Sequence, residues 1–346
     1  MGGILGIGCT HGPQLQFPDE NMADILRRYL RNERTPVARK DPSTWPAAMR
    51  AEWADDEGLA AAREHRRVLV DGFRQARRAL DAFKPDLVLI WGDDQYENFR
   101  EDLVPPFAVL GMPEIPVEPY KASPVVLTKA NVWGQPDDVR TTWRGHPEAA
   151  GYLASELIEH GFDVACAYQF HHAKAANHAF VRTVLYLDYD QQGFDYPILP
   201  FHVNCYGSDL WQNAPDRKIP FRAPPSPPPW RCYDLGRCVA EILNASPWRV
   251  AVVGSSSWSH APLTAKHDGM YPDVAADRRL YEDMRRGDLR PWRDLSPDAL
   301  HEAGQHELLN WVCLAGAMEG RTPEVLAYSE TYLFNSDKAV VLFPTT

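Results

Sequence analysis

A chain of 346 residues with a formal net charge of −11 is long enough to bury a large core and too acidic to offer a nucleic-acid surface. Its six cysteines form no Cys-x-x-Cys pair, which reads as reduced thiols in a cytoplasmic protein. No apolar stretch approaches membrane-spanning length; the start, "MGGILGIGCTHGP", lacks the basic and long apolar regions of a secretory signal, and Gly6 breaks the myristoylation pattern.

Short apolar runs at 2–9, 86–92, 163–168, 196–206 and 249–256 read as buried strands. A last pair, "VLAYSETY" and "KAVVLFP", reads as a hairpin. Helical spacing marks 59–83, 147–160, 233–245 and 297–319, the second of these opening on Pro147 and stopping before Gly161. Strands alternating with helices predict an α/β sheet. Two stretches break the pattern. Residues 31–57 are polar with Pro and Trp and read as a long excursion, and 207–230 includes the proline-rich "RAPPSPPPW". No internal repeat or domain boundary is visible, so 1–346 reads as one domain with these two insertions.

Polar residues gather just past the predicted strands, where α/β sheets bind their ligands. The first strand runs into His11, the second into Asp93, Asp94 and Gln95, and the fifth into a serine-rich loop carrying His260. "GQHELLNW" adds His306 and Glu307, and "YQFHHAKAANHAF" adds His171, His172 and His178. A divalent metal is held by imidazole and carboxylate groups converging from separate elements. His11, one of the groups at 93–95, and Glu307 make such a set, with His260 and His178 as acid–base groups beside it. The plain alternatives are solvated turn histidines, aspartates capping turns, and a surface ion pair for Glu307. Ser255–Ser257 lack a G-x-S-x-G nucleophile pattern and read as a polar turn.

Five short motifs in order extend this reading. "THGP" resembles Ser-His-x-Pro, and "KPDLVLIWGDDQYENF" resembles a strand ending in Asn-Asp-His with Phe four residues later. "NHAF" followed by "YPILPFHVN" resembles Asp-His-Gly-Leu and a Pro-Val-Ile-Pro-Phe strand. "SSSWSHAPL" resembles a Gly-Gly-Met-Ser-His loop, and "AGQHELLNWVCLAGAM" resembles a helix that supplies a carboxylate ligand. Together they resemble the class III extradiol ring-cleavage dioxygenases, typified by the β subunit of protocatechuate 4,5-dioxygenase. The resemblance implies a central mixed sheet flanked by helices, and Fe(II), with Mn(II) as an alternative, bound by two histidines and a glutamate. His11 and Glu307 take two of those roles, His260 the acid–base role, and His178 a hydrogen bond to the substrate or oxygen side.

Gln95 stands where the family has its second imidazole. It is one candidate ligand, Asp94 and Asp93 are others, and His171 or His172 could swing in. An aspartate would give a one-histidine, two-carboxylate set suited to Fe(II), Mn(II) or Mg(II). Tyr96, Phe99 and Trp258 lie close to the motifs and are candidate walls of an aromatic pocket, with core packing the plain alternative. The implied activity is O2-dependent cleavage of a catechol-like ring. Alternatives are a non-oxidative metal-dependent hydrolase and a metal-free binding protein on the same fold. The implied partners are a small aromatic substrate and O2, further copies of this chain, and a small α subunit that covers the site.

Overall fold

The computed structural model describes residues 3–100, 102–122, 128–207 and 224–345. Most of the expected insertion at 207–230 therefore lies outside the described residues. An eight-stranded sheet has the order β6-β3-β7-β2-β8-β1-β10-β9. The strands are β1 (Ile4–Cys9), β2 (Leu87–Gly92), β3 (Phe107–Leu110), β6 (Ala165–Ala167), β7 (Ile198–Val203), β8 (Val250–Ser255), β9 (Glu324–Ser329) and β10 (Lys338–Phe343). β4 (Glu114–Val117) and β5 (Thr141–Arg144) form a separate antiparallel pair.

The central strands β7, β2, β8 and β1 run parallel, and β3 and β10 pair antiparallel at the two sides of that block, which makes the sheet mixed. Parallel strands covered on both faces need apolar residues at every position. That is why "LVLIWG" and "VAVVGS" are buried throughout. The alternation is strict: Leu87, Leu89 and Trp91 enter one core, and Val88 and Ile90 the other. The second core is closed by Leu69, Phe73, Ala76 and Leu80 of the helix Leu59–Phe83 and by Val184 of the helix His178–Leu187. The first is closed by the helices Pro147–Glu159, Pro229–Ala245 and Leu308–Ala317. Among the described residues no helix is long and apolar enough to cross a membrane.

The helix Leu308–Ala317 sits unusually close to the sheet because two strand residues lack side chains. A Cβ on Gly8 would lie 2.4 Å from the Trp311 ring, and one on Gly254 would lie 2.9 Å from the Asn310 carbonyl oxygen. This helix was expected as the last part of one element spanning 297–319. Instead the chain forms Pro297–Glu302, breaks, and resumes at Leu308. Gly304 takes a left-handed φ of 69°, which ends the first helix. The break leaves Glu307 at the start of the second helix instead of inside a continuous one.

Other expectations shift in detail. The stretch 31–57 is not structureless: it contains the helix Ala47–Trp53 and short 3-10 turns. With the helix Asp24–Arg31 it builds a satellite cluster around Leu26, Trp45 and Met49. The proline-rich run ends by starting a helix, with Pro229 at its first position, where the missing N–H costs nothing.

Gly316 lets two helices touch: a Cβ there would lie 2.0 Å from the Tyr233 carbonyl oxygen. Alanine is favoured over glycine in a helix by about 1 kcal/mol. Here backbone must move to admit it, so Gly316→Ala is expected to destabilise the protein, with an overpacking cost of about 1–3 kcal/mol. Thermal unfolding checks this: the midpoint should fall, and a midpoint that rises would show that the helices have room to spare.

Candidate metal centre

Parallel pairing sets the strand ends level. Cys9 is opposite Ser255 and Trp91 opposite Gly254, so the chain leaves β1, β2 and β8 along one edge. His11 follows β1 by two residues, and Asp93 follows β2 directly. The glycine-permitted approach of the last core helix brings Glu307 over the same edge.

His11 Nε2 lies 3.4 Å from Asp93 Oδ1 and 3.3 Å from Glu307 Oε2. His260 Nε2 lies 3.5 Å from the same Glu307 oxygen. The His178 ring stands edge-on to that of His11, with centroids 5.1 Å apart. One ligand atom from each of His11, Asp93, His178 and Glu307 falls within 4.8 Å of the others.

Hydrogen bonds settle which imidazole nitrogen of His11 carries a proton. Thr183 Oγ1 donates to the Ala179 carbonyl at 2.6 Å, so toward Ser255 it can only accept. Ser255 therefore spends its proton on Thr183 and accepts from His11 Nδ1 at 3.1 Å. His11 Nε2 is left with a lone pair aimed at two carboxylates. Among the described residues, His11 Nε2, Asp93 Oδ2 and Glu307 Oε2 are buried with no hydrogen-bond partner. Unpartnered buried acceptors on three residues of one cluster call for a cation. One imidazole and two carboxylates fit a divalent first-row metal.

The electrostatics agree. Burial and the charge of Glu307 push the Asp93 carboxyl well above its ordinary range, with His11 opposing. Burial would also raise Glu307, but positive charge on the neighbouring His260 and His11 when they are protonated, and the hydrogen bond from Tyr206, bring it below the ordinary carboxylate range. Burial, then Glu307 and Asp93, hold the Tyr206 hydroxyl protonated. It donates to Glu307 Oε1 at 2.5 Å. Burial also lowers His260, only partly offset by Glu307. His260 Nδ1 donates to the Trp258 carbonyl at 2.9 Å, which leaves Nε2 as the basic atom on the site side.

Gln95 reaches the centre as a donor. Its Nε2 lies 2.9 Å from Glu307 Oε1 and 3.0 Å from the Tyr206 hydroxyl. Ionised Glu307 only accepts, so the amide must present its NH2 group and not its carbonyl oxygen. This corrects Gln95 as a ligand candidate. With Tyr206 it occupies Oε1 and leaves Oε2 for the cluster. Asp94 is also corrected: its oxygens accept the backbone N–H groups of Glu97, Asn98 and Phe99 at 2.8–3.3 Å, together with Asn177 Nδ2. It caps a turn, and Asp93 is the acid that joins His11. His171 and His172 are exposed and stay outside the cluster, His172 bonding Asp102 at 2.6 Å.

The cluster opens into a cavity of about 320 Å³ lined by Pro13, Ile25, His178, Tyr206, His260 and Leu263, among others. The expected aromatic wall differs. Trp258 is core, packed T-shaped on Trp311 at 5.6 Å because it is fully buried below the loop. Phe99 packs at a tilt against His202, centroids 4.6 Å apart, beside a small separate recess. Tyr96 lines a neighbouring chamber, with the Arg100 guanidinium 5.8 Å from its ring. Sequence reading passed over Tyr206 and Ser255 as contributors. Both were findable, since each lies at or just beyond the carboxyl end of a predicted strand.

These features define an α/β protein with a candidate mononuclear metal centre at the carboxyl edge of its parallel strands. Residues 57–337 match the family described as the catalytic LigB subunit of aromatic ring-opening dioxygenase, and the chain belongs to that family. The match includes Asp93, His178, His260 and Glu307; His11 precedes it and is joined to the centre by β1. Similar curated proteins include a 2,3-dihydroxyphenylpropionate/2,3-dihydroxicinnamic acid 1,2-dioxygenase 2 of Pseudomonas putida, 29% identical over 190 residues covering 55% of this chain and 48% of that protein. An enzyme named 2,3-dihydroxyphenylpropionate/2,3-dihydroxicinnamic acid 1,2-dioxygenase from Photorhabdus laumondii is 26% identical over 202 residues, covering 58% and 51%. Another from Burkholderia vietnamiensis is 23% identical over 294 residues, covering 72% and 80%. The chain spans about half the length of the first two of these relatives.

The neighbouring aspartates separate the roles by experiment. Asp93→Asn is expected to weaken Mn(II) binding beyond the roughly 10–100-fold typical of outer partners of a metal ligand. Asp94→Asn should keep Mn(II) affinity and lose about 1–3 kcal/mol of stability through its turn. Anaerobic calorimetric titration and thermal unfolding of both variants check the pair; metal loss in Asp94→Asn with retention in Asp93→Asn would reverse the assignment. Saturating metal should also stabilise the wild-type protein, by about 2.7 kcal/mol at a hundred times the dissociation constant.

Proposed function

We propose that this chain is a metal-dependent extradiol-type dioxygenase that opens a catechol-like ring with O2, using Fe(II) or, second, Mn(II). The observation that carries the proposal is the convergence of unpartnered His11, Asp93 and Glu307 atoms beside the basic Nε2 of His260, in a cavity of ring-holding size. The names of the relatives favour a 2,3-dihydroxyphenyl substrate.

When bound, the metal would supply a Lewis acid that gathers the two substrate oxygens and O2 and makes a phenolic proton easier to remove. His260 Nε2 takes that proton and later returns it to a departing oxygen. Its aim is fixed from behind, since Nδ1 is committed to the Trp258 carbonyl. The preceding Ser259 N–H donates to both Asp277 oxygens at 3.1 Å, which holds the loop. His178 borders the cavity with its Nδ1 at 2.6 Å from Glu97, so its ring is held by a carboxylate and its Nε2 is the atom available to substrate or dioxygen. Tyr206 and Gln95 keep Glu307 Oε2 turned inward.

The second carboxylate, Asp93, also favours a harder cation, and so gives a non-oxidative hydrolase as the second reading. Activity under strict anaerobiosis separates the two.

The test is anaerobic Fe(II) loading followed by O2 and a panel of catechols, aminophenols and hydroxypyridones that includes 2,3-dihydroxyphenylpropionate. Oxygen uptake and a yellow ring-opened product are expected. Silence across the panel with iron fully bound would count against the proposal. His260→Ala should keep its iron and lose about 10²–10⁴-fold in turnover; loss of iron instead would make His260 a ligand.

A further inference from the structure

A second chamber of about 500 Å³ adjoins the metal cavity, and Glu97, His178 and Arg182 line both. Arg182 stands one helical turn after His178 on the helix His178–Leu187, so both side chains share a face. Arg182 is half-buried. Among the described residues it has no hydrogen-bond or ion-pair partner, and Glu97, the acid that shares its wall, is taken by His178 at 2.6 Å. The Arg182 charge is felt by Glu97, but that carboxylate is already bonded to His178, so the guanidinium keeps its donors free for an arriving anion.

The rest of the lining points the same way. Arg100, Lys121, Arg140 and Lys174 also face the chamber. Glu118 neutralises only two of them, holding Lys121 at 2.6 Å and Arg140 at 3.0 Å. Arg100 lies over Tyr96 with its Nε buried and unpartnered. A surplus of cations in one concavity runs against a chain whose net charge is −11. The volume falls in the roughly 300–1,000 Å³ range that takes a drug-sized group, far more than a three-carbon acid arm needs.

We propose that this chamber is a substrate subsite for a bulky anionic arm, of the size of a second ring bearing a carboxylate, and that Arg182 is its specificity-determining residue. The proposal rests on the dioxygenase reading for the ring end of the substrate. In it, the dihydroxy ring lies at the metal cavity, and the arm passes His178 to reach the Arg182 guanidinium.

The experiment is a binding comparison on metal-loaded full-length protein without O2, using 2,3-dihydroxybiphenyl and its 4′-carboxylate. The carboxylate is expected to bind about tenfold or more tightly than its neutral parent, the size of one hydrogen bond to a charged group. Arg182→Gln should bring that ratio close to one, and Arg182→Lys should restore part of it. A wild-type ratio near one, or an Arg182→Gln change that weakens both compounds equally, overturns the subsite. The readout is binding, so it separates from the chemistry: the expected ratio in a protein that never consumes O2 supports the subsite and overturns the dioxygenase reading.

Discussion

Two carboxylates and an imidazole lone pair meet in the interior with no proton donor between them, and much of the molecule serves to hold them there. Unit charges about 4 Å apart interact by about 4 kcal/mol at an effective dielectric of 20. Asp93 and Glu307 would therefore repel unless a cation separated them. Each contributor is fixed from behind by a separate element. Ser255 and Thr183 orient His11, the end of β2 places Asp93, and Tyr206 with Gln95 turns Glu307. The bare faces of Gly8 and Gly254 are what allow the Glu307 helix to come close enough.

The break before that helix is tied to the loop that carries His260. The His260 N–H donates to the Gly304 carbonyl at 3.0 Å, and Ser259 Oγ donates to the Ala303 carbonyl. Asp277 joins both sides, accepting from the Ser259 N–H and from Gln305 Nε2 at 2.6 Å. Burial raises the Asp277 carboxyl to about 7, with those bonds opposing. The loop carrying His260 and the segment leading into Glu307 thus share one set of hydrogen bonds.

The parallel centre of the sheet was legible because buried strands between helices have an unmistakable apolar run. β3, β4 and β5 were not: each is four residues long, β4 contains a proline, β5 is largely polar, and the apolar β3 is too short to stand out between its flanking prolines. The continuous helix over 297–319 was a fair expectation from periodicity, but Gly304 in a left-handed conformation overrides it. At the site, the structure brings His11, Glu307, His178 and His260, all named from the sequence, to one edge. The error lay in three adjacent residues. Side chains leaving a strand alternate, so Asp93 and Gln95 face the centre while Asp94 turns away. Counting along a motif aligned Gln95 with a ligand, whereas the hydrogen-bonding chemistry of an amide next to a carboxylate makes it a donor. Phe99 and Trp258 were close in sequence but not in space, since the turn after β2 and the loop after β8 carry them away from the cavity, while Tyr96 lines the adjoining chamber.

The most direct test of this account is anomalous diffraction from anaerobic crystals soaked in Mn(II). The account predicts a peak within coordination distance of His11 Nε2, Asp93 and Glu307 Oε2, with the Gln95 amide still on Glu307 Oε1. A peak at the exposed Asp102, His171 and His172 group with none at the buried centre, or a metal bound through Gln95 with Asp93 turned aside, would contradict it.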